Sequence, residues 1–438
     1  NSLPYFFSIF IFVVILSISN VQLVLGFWES VNNVNVQNTR YLNEDFQSSF
    51  SPGNGASLKW TFYPPEIPRT SINSPKIVMG YDLMVATYDY NDGWLHFIST
   101  TDGSLKYQQY LESDSPQVSI QSLTTQGSYT TVTYSTSSSS YLATYLISSP
   151  SIKRIVFLSS KTESFANGFV NNVIGVGSPG PVLVYVKNNI NYPGNATFVA
   201  SKINFSYNFR LDNIIAYTSD LGISYSLSHD QRMAILNLRQ PFNTNQLKVA
   251  ALDMFTGKEL WLKTYNVSTS NVMTLPMPIG SVTGAKGFGA ELVYVGAATD
   301  VVVFDGQTGN VKKKFSAGTY AYGSNILTPA REGADINDWL YIARPPNGGT
   351  SAARVLSTLT GNLVYSFLAD ETPIVATSNG QVLVTTQSSM YLRDLSKLSK
   401  GAPIVWKWNF EGFLQSFFFS NRLIYGGYQS NINTFANT

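Results

Sequence analysis

The chain has 438 residues, carries 28 Lys+Arg against 26 Asp+Glu for a net charge of +2, and is only 12% charged, about half the share of an ordinary soluble protein. No basic cluster exceeds the triplet Lys312 to Lys314, which reads as a solvated outer strand, so an electrostatic footprint for nucleic acid is excluded. Cysteine is absent, which excludes a disulfide framework, a thiolate metal site and a cysteine nucleophile.

In chain order, residues 3–25 are mostly apolar, with Phe6 to Leu16 as a compact hydrophobic stretch. The segment reads as a secretory signal over residues 1–26, with small residues Val24 and Gly26 before Phe27 and with Ser17 and Ser19 as a second cleavage choice. It also approaches the roughly 20 residues of a membrane helix. An uncleaved N-terminal anchor is therefore the rival reading, and membrane contact is expected only in that case. Residues 27–56 form a lead-in, and residues 57–438 are expected to form a single domain, with no linker or composition shift inside it. Three sequons, Asn195 with Thr197, Asn204 with Ser206 and Asn266 with Ser268, fit passage through the secretory pathway. The expected location is extracellular or luminal, and the expected state is monomeric.

The domain is organised by a repeat. Thr256-Gly257, Thr308-Gly309 and Thr360-Gly361 recur at steps of 52 residues, each with Asp253, Asp305 or Ser357 four positions before the glycine. Asp253 can fold its carboxylate back onto backbone N–H groups two residues on, as in an Asx turn, while the glycine takes the positive φ that closes a hairpin. Large or long residues then stand four positions after each glycine: Tyr107 after Gly103, Trp261 after Gly257, Lys313 after Gly309 and Tyr365 after Gly361. In a radial array each is placed to pack on the neighbouring unit.

With this offset as a ruler, returning strands start near Trp60, Tyr107, Ile155, Phe209, Trp261, Lys313, Tyr365 and Trp406. The marks at Ile155 and Phe209 rest on spacing and strand-like text. Three further short strands precede each mark; the fifth unit reads V-M-T-L-P-M-P-I, E-L-V-Y-V-G, D-V-V-V-F and V-K-K-K-F. Four strands per unit make a propeller blade. After Trp408 only three strand candidates remain, around Phe417 to Phe419, Arg422 to Gly426 and Ile432 to Ala436. The stretch Ser57 to Tyr63 is left over at the front and can supply the missing outer strand. The prediction is an all-β, eight-bladed β-propeller of four-stranded blades, closed by an N-terminal strand, which protects the edges an open array would expose.

Ala251, Asp253, Thr256, Gly257, Lys258 and Trp261, with their spacers, resemble the tryptophan-docking repeat of the pyrroloquinoline quinone (PQQ) propellers, the quinoprotein alcohol dehydrogenase-like family. Asp305, Thr308 and Gly309 keep the core of that pattern with Lys313 in place of its Trp. Ser357, Thr360, Gly361 and Tyr365 keep less, and Ser99, Asp102, Gly103 and Tyr107 less again. The resemblance implies that Trp261 packs between a small residue of its own repeat and the peptide around the glycine of a neighbouring blade. A WD-repeat propeller is excluded by its shorter period and by the absence of any Trp-Asp pair.

Quinoprotein dehydrogenases of this superfamily hold the quinone at the ring centre over a tryptophan, near a calcium ion, and many carry a disulfide between adjacent cysteines. No cysteine is available here, and no calcium or catalytic-base motif matches any stretch. Other chemistry fares no better. His96 and His229 are the only histidines, too few for a multi-histidine metal site, and His229-Asp230 lies in a polar stretch that reads as a surface loop. Asp335, Asn337 and Asp338 crowd oxygen ligands into one loop, a weak cation candidate without the spacing or glycine of a calcium loop. Asp89, Asn91, Asp92 and Gly93 read as a tight turn, and Ser137 to Ser140 as a flexible loop. Two functions follow from different classes. One is a non-catalytic scaffold without a cofactor, contacting a protein or glycan partner, as do the bacterial outer-membrane assembly lipoprotein and luminal sensor domains of the endoplasmic reticulum. The other is a PQQ- and calcium-dependent oxidoreductase with a divergent site.

Overall fold

A computed structural model describes residues 41–42, 56–63, 75–80, 83–88, 93–111, 118–126, 129–136, 139–147, 149–158, 163–173, 182–189, 195–204, 210–220, 222–228, 233–238, 246–254, 256–266, 276–280, 292–297, 300–316, 326–328, 339–342, 352–357, 360–377, 380–386, 388–409, 416–420, 423–427 and 432–437. The calls on residues 1–26, on His229 and on Asp335, Asn337 and Asp338 lie outside them.

These residues form eight antiparallel meanders. Sheet 1 comprises Pro75–Gly80, Leu83–Tyr88, Trp94–Ser99 and Leu105–Tyr110, and sheet 2 comprises Ser119–Gln126, Tyr129–Ser135, Ser140–Leu146 and Ser149–Leu158. Sheet 3 is built from Glu163–Val173, Val182–Asn189, Ala196–Asn204 and Arg210–Ser219, and sheet 4 from Ile223–Leu227, Met233–Leu238, Gln246–Asp253 and Glu259–Asn266. Sheet 5 contains Pro276–Gly280, Leu292–Ala297, Asp300–Asp305 and Val311–Ser316; sheet 6 contains Ile326–Thr328, Trp339–Ile342, Arg354–Ser357 and Leu363–Ser366. Sheet 7 holds Thr372–Thr377, Gln381–Thr385, Ser389–Asp394 and Ile404–Asn409, preceded in strand order by the short strand Tyr41–Leu42. Sheet 8 takes Ser416–Ser420, Leu423–Gly427 and Ile432–Asn437 from the end of the chain and Ala56–Phe62 from its front. That front strand runs antiparallel to Ile432–Asn437, pairing Ala56 with Asn437 and Phe62 with Ile432.

First strands of successive sheets lie beside one another, sheet 1 against sheet 2, 2 against 3, 4 against 5, 5 against 6 and 6 against 7. The first strand of sheet 8 lies against that of sheet 1. The sheets are therefore arrayed radially, first strand innermost and fourth strand outermost.

Burial follows from that array. Side chains alternate between the two faces of a strand, and in the middle strands each face meets another sheet. Met233–Leu238 and Ser389–Asp394 are buried at every position. Within sheet 4, Ala234, Leu236, Leu238, Ala250 and Leu252 pack toward sheet 3 with Val184, Phe198 and Ile215. Their alternates Met233, Ile235, Val249 and Ala251 pack toward sheet 5 with Val293, Val295 and Phe304. Equivalent clusters join sheets 1 and 2, 5 and 6, and 6 and 7. The apolar core is thus divided among the interfaces. Outer strands face a neighbour on one side only and alternate accordingly; in Glu259–Asn266 Trp261 is the one buried position.

Two readings of the sequence are corrected. The run Ser137 to Ser140 is not a loose loop where it is described: Ser139 and Ser140 are buried, and Thr136 N–H bonds the Ser139 carbonyl at 2.9 Å while Ser139 N–H returns to Thr136 Oγ1 at 3.1 Å. The same hairpin, Thr386 with Ser389, recurs in sheet 7 at 2.8 and 3.1 Å. Tyr107, expected to pack on a neighbouring unit, is 48% exposed.

The crossing from sheet 6 to sheet 7 is held by a buried polar cluster. Glu371 and Arg393 form an ion pair, and Tyr391 donates its hydroxyl to the same Glu371 oxygen. The other Glu371 oxygen accepts Leu368 N–H at 2.8 Å, and Arg393 Nη1 donates to the Ala402 carbonyl at 2.8 Å. Burial first, then the bond to Glu371, pushes the Tyr391 phenol above its usual range, so it remains a donor at neutral pH.

Candidate functional site

The recurring turns between third and fourth strands share one geometry. In each, the N–H of the glycine bonds the carbonyl four residues back: Gly103 to Ser99 at 3.0 Å, Gly257 to Asp253 at 2.8 Å, Gly309 to Asp305 at 2.7 Å and Gly361 to Ser357 at 2.7 Å. The glycines have φ between 68° and 77°, the left-handed region that disfavours any residue with a Cβ. The acidic or hydroxyl residue that opens the turn accepts from the backbone N–H three residues on, one further than an Asx turn places it. Asp253 Oδ1 takes Thr256 N–H at 3.1 Å, Asp305 Oδ1 takes Thr308 N–H at 2.9 Å, and Ser357 Oγ takes Thr360 N–H at 3.2 Å. The threonine hydroxyls then accept from Lys258, Asn310 and Asn362 at 3.4, 3.3 and 3.2 Å. At Asp305, partial burial works against ionisation, but hydrogen bonds from Thr308 and Lys312 outweigh it and hold the carboxyl below its ordinary value. A carboxyl with a lowered folded-state pKa stabilises the fold above its unfolded pKa and loses that contribution as pH falls through the folded value.

Gly103, Gly309 and Gly361 each face an aromatic residue of the preceding sheet. The Trp261 indole lies on Gly309, where a Cβ would stand 2.5 Å from Cδ2, and its Nε1 donates to the Gly306 carbonyl at 2.8 Å. In its own sheet Trp261 stands opposite Ala251, fully buried. Trp60 repeats this at the meeting of sheets 8 and 1: a Cβ on Gly103 would be 2.6 Å from its Cδ2, and its Nε1 donates to the Thr100 carbonyl at 3.2 Å. Both indoles donate to the second residue of the turn they cover. Phe62 shares the Trp60 face and meets the fully buried His96, ring centroids 5.7 Å apart.

The joint between sheets 5 and 6 departs from the expected position. Phe315, two residues beyond Lys313 and therefore on the same strand face, covers Gly361, where a Cβ would be 2.8 Å from the Phe315 Cβ. Lys313 lays its ammonium 5.7 Å from that ring. Sheet 7 has no such turn: a 3₁₀ helix, Leu395–Lys400, follows its third strand, capped by Asp394, which accepts Ser396 N–H at 3.1 Å, and ended by Gly401 at φ 78°. Between sheets 3 and 4 the links are tyrosines, Tyr225 to the Val184 carbonyl at 3.0 Å and Tyr217 to Glu259 at 3.3 Å.

Six of the described carboxylates are engaged in the frame itself. Asp102, Asp253 and Asp305 serve rim turns, Asp300 pairs with Lys314 at 2.9 Å, Asp394 caps the 3₁₀ helix, and Glu371 pairs with Arg393. Among the described residues no three His, Cys, Asp or Glu converge on a point that could hold a metal. Of the sequons, Asn195 precedes the third strand of sheet 3, Asn266 ends the fourth strand of sheet 4, and Asn204 ends the third strand of sheet 3. In an antiparallel meander this sets Asn195 and Asn266 at one end of the array and Asn204 at the other.

Two measurements weigh these joints. Trp261→Ala costs about 3 to 5 kcal/mol by the cavity it opens, whereas Lys313→Ala stays within about 0.5 kcal/mol, read as urea midpoints; equal small losses would show that the indole contact does not hold the joint. Gly309→Ala and Gly401→Ala both impose a Cβ at positive φ, but only the first meets an indole, since nothing lies within 4 Å of a Cβ at Gly401. Thermal unfolding of Gly309→Ala should fall clearly below that of Gly401→Ala, and equality would reduce the glycine's role to backbone conformation.

No protein-family model matches the sequence, and comparison with curated proteins finds no match. Solved structures do match. A europium-containing methanol dehydrogenase superposes with a TM-score of 0.62 at 12% identity, over 92% of this chain and 97% of that one. BamB from Moraxella catarrhalis gives 0.54 at 13% identity over 87% and 97%, and Saccharomyces cerevisiae Sqt1 gives 0.55 at 7% over 89% and 99%. At such identities the likeness is one of fold, and with the radial meanders it establishes that the chain is a β-propeller, of the architecture found in quinoprotein dehydrogenases and BamB.

Proposed function

We propose that this β-propeller is a non-catalytic scaffold of the secretory lumen or extracellular space, which binds a protein or glycan partner through the loops of one end and works as a monomer. The observation that carries the reading is the engagement of the described chemistry-bearing side chains. Asp102, Asp253, Asp305, Asp394, Glu371, Tyr217, Tyr225, Tyr391, Trp60 and Trp261 serve turns, caps and joints that rigidify a frame, and among the described residues no three His, Cys, Asp or Glu converge on a metal-holding point. The structural likeness to a methanol dehydrogenase favours the second reading, a quinone-dependent oxidoreductase, at the level of fold only.

Glycans on Asn195 and Asn266 would crowd one end of the array over sheets 3 to 5, so the partner is assigned to the opposite end or to other sheets. Site-resolved glycan mass spectrometry should find both asparagines occupied; finding both bare removes that assignment. Protein purified from its source with calcium present should show only the aromatic absorption band, no dye reduction, and no rise in melting temperature on adding PQQ with calcium. A quinone chromophore accompanied by dye reduction would replace the scaffold with the oxidoreductase.

A further inference from the structure

Among the described residues, sheet 7 alone has a fifth strand, Tyr41–Leu42, and its position is the unusual feature. It joins the innermost strand, Thr372–Thr377, on the edge that faces the middle of the array, with Tyr41 opposite Ala376 and Leu42 opposite Thr377. The pairing is parallel, in a fold whose other described pairings are antiparallel. The same two residues also lie beside the innermost strand of sheet 6, Ile326–Thr328. The front of the chain therefore passes inside the array before its residues 56–62 appear at the outer edge of sheet 8.

We infer that the inner edge of Thr372–Thr377 is a strand-accepting site for an extended peptide segment, which the chain's own residues 41–42 occupy as a displaceable strap. A strand edge carries N–H and C=O groups that template a further strand, and here Tyr41–Leu42 pairs with the edge at Ala376 and Thr377. Pro373 has no N–H to offer, so acceptance is confined to the later half of the strand, where Ala376 and Thr377 hold the strap. Two residue pairs are a small contact for a strand, whereas a longer peptide can continue alongside Ile326–Thr328.

Displacing the strap need not disturb sheet 8. Residues 43–55 separate the two strands, and thirteen residues reach up to about 45 Å. Four inter-strand steps, the depth of one sheet from inner to outer position, span about 19 Å, which leaves slack for the further step from sheet 7 to sheet 8. The inference names the partner chemistry of the scaffold reading and rests on it, but it is read by different signals from the chromophore that would overturn that reading.

Because the chain has no cysteine, one engineered pair is diagnostic. Tyr41→Cys with Ala376→Cys in the full chain should form an intramolecular disulfide, detected as a cross-linked peptide by mass spectrometry; no bridge under oxidising conditions overturns the strap. For the site itself, the probe is a fluorescein-labelled peptide of residues 36–46. Tyr41→Pro with Leu42→Pro removes both strap N–H donors whichever faces the edge. The peptide should bind this variant at least about tenfold tighter than the unaltered chain, where the strap competes in cis. Equal binding to both proteins, or binding to neither, overturns the assignment of the edge as a peptide site.

Discussion

The contact of an aromatic ring on the bare face of a glycine in the next sheet's turn is what the rest of the structure depends on. The glycine meets two demands at once. Its φ near 70° closes the hairpin, and its missing Cβ leaves room for an indole ring that would otherwise be 2.5 to 2.6 Å away. The carbonyl beside it then accepts the indole N–H, so the ring is fixed in orientation as well as position. Because turn and ring belong to different sheets, each contact converts a local hairpin into a statement about where the neighbouring sheet lies.

That matters because the described residues show no common core that gathers the sheets. Apolar clusters lie between sheets, two at a time, and a middle strand such as Met233–Leu238 is shared by two clusters through its alternate residues. Stability in such an array is a sum of sheet and nearest-neighbour terms. Trp60 brings the same contact to the meeting of sheets 8 and 1, where the chain's two ends pair. In a 438-residue chain without a cysteine, this joint recurs at three meetings of sheets, and the pairing of Ala56–Phe62 with Ile432–Asn437 adds to it.

The architecture was legible in the sequence because a step of 52 residues, a Thr-Gly turn and runs of β-forming residues are local signals. Returning strands lie at or beside the expected marks, although the one holding Ile155 starts six residues earlier, at Ser149, and Phe209 lies outside the described residues, just before Arg210–Ser219. Joint details were less legible. Phe315 and Lys313 share a strand face, and only the position of the next sheet's turn decides which covers the glycine. Tyr107 has the right offset but stays 48% exposed. Glu371, Tyr391 and Arg393 come together from separate segments, so no spacing announces their ion pair, and the strap at Tyr41–Leu42 is a pairing of residues more than three hundred positions apart.

The exceptions to the repeat are not scattered evenly. Sheet 7 replaces its turn by a 3₁₀ helix, receives the preceding sheet through a buried Glu371–Arg393–Tyr391 cluster, and accepts the parallel strap on its inner edge. Replacing an apolar contact by a buried ion pair gains little stability, since desolvation offsets most of the attraction; what it adds is a requirement for one geometry. Sheets 2 and 3 also lack the Thr-Gly turn, but sheet 7 combines a helix in place of the turn, a buried ion pair and an added parallel strand, a set of departures that packing alone does not require. The fixed crossing beside Thr372 holds the strand that carries the strap at a set height and tilt, so that its inner edge can accept another strand without itself giving way.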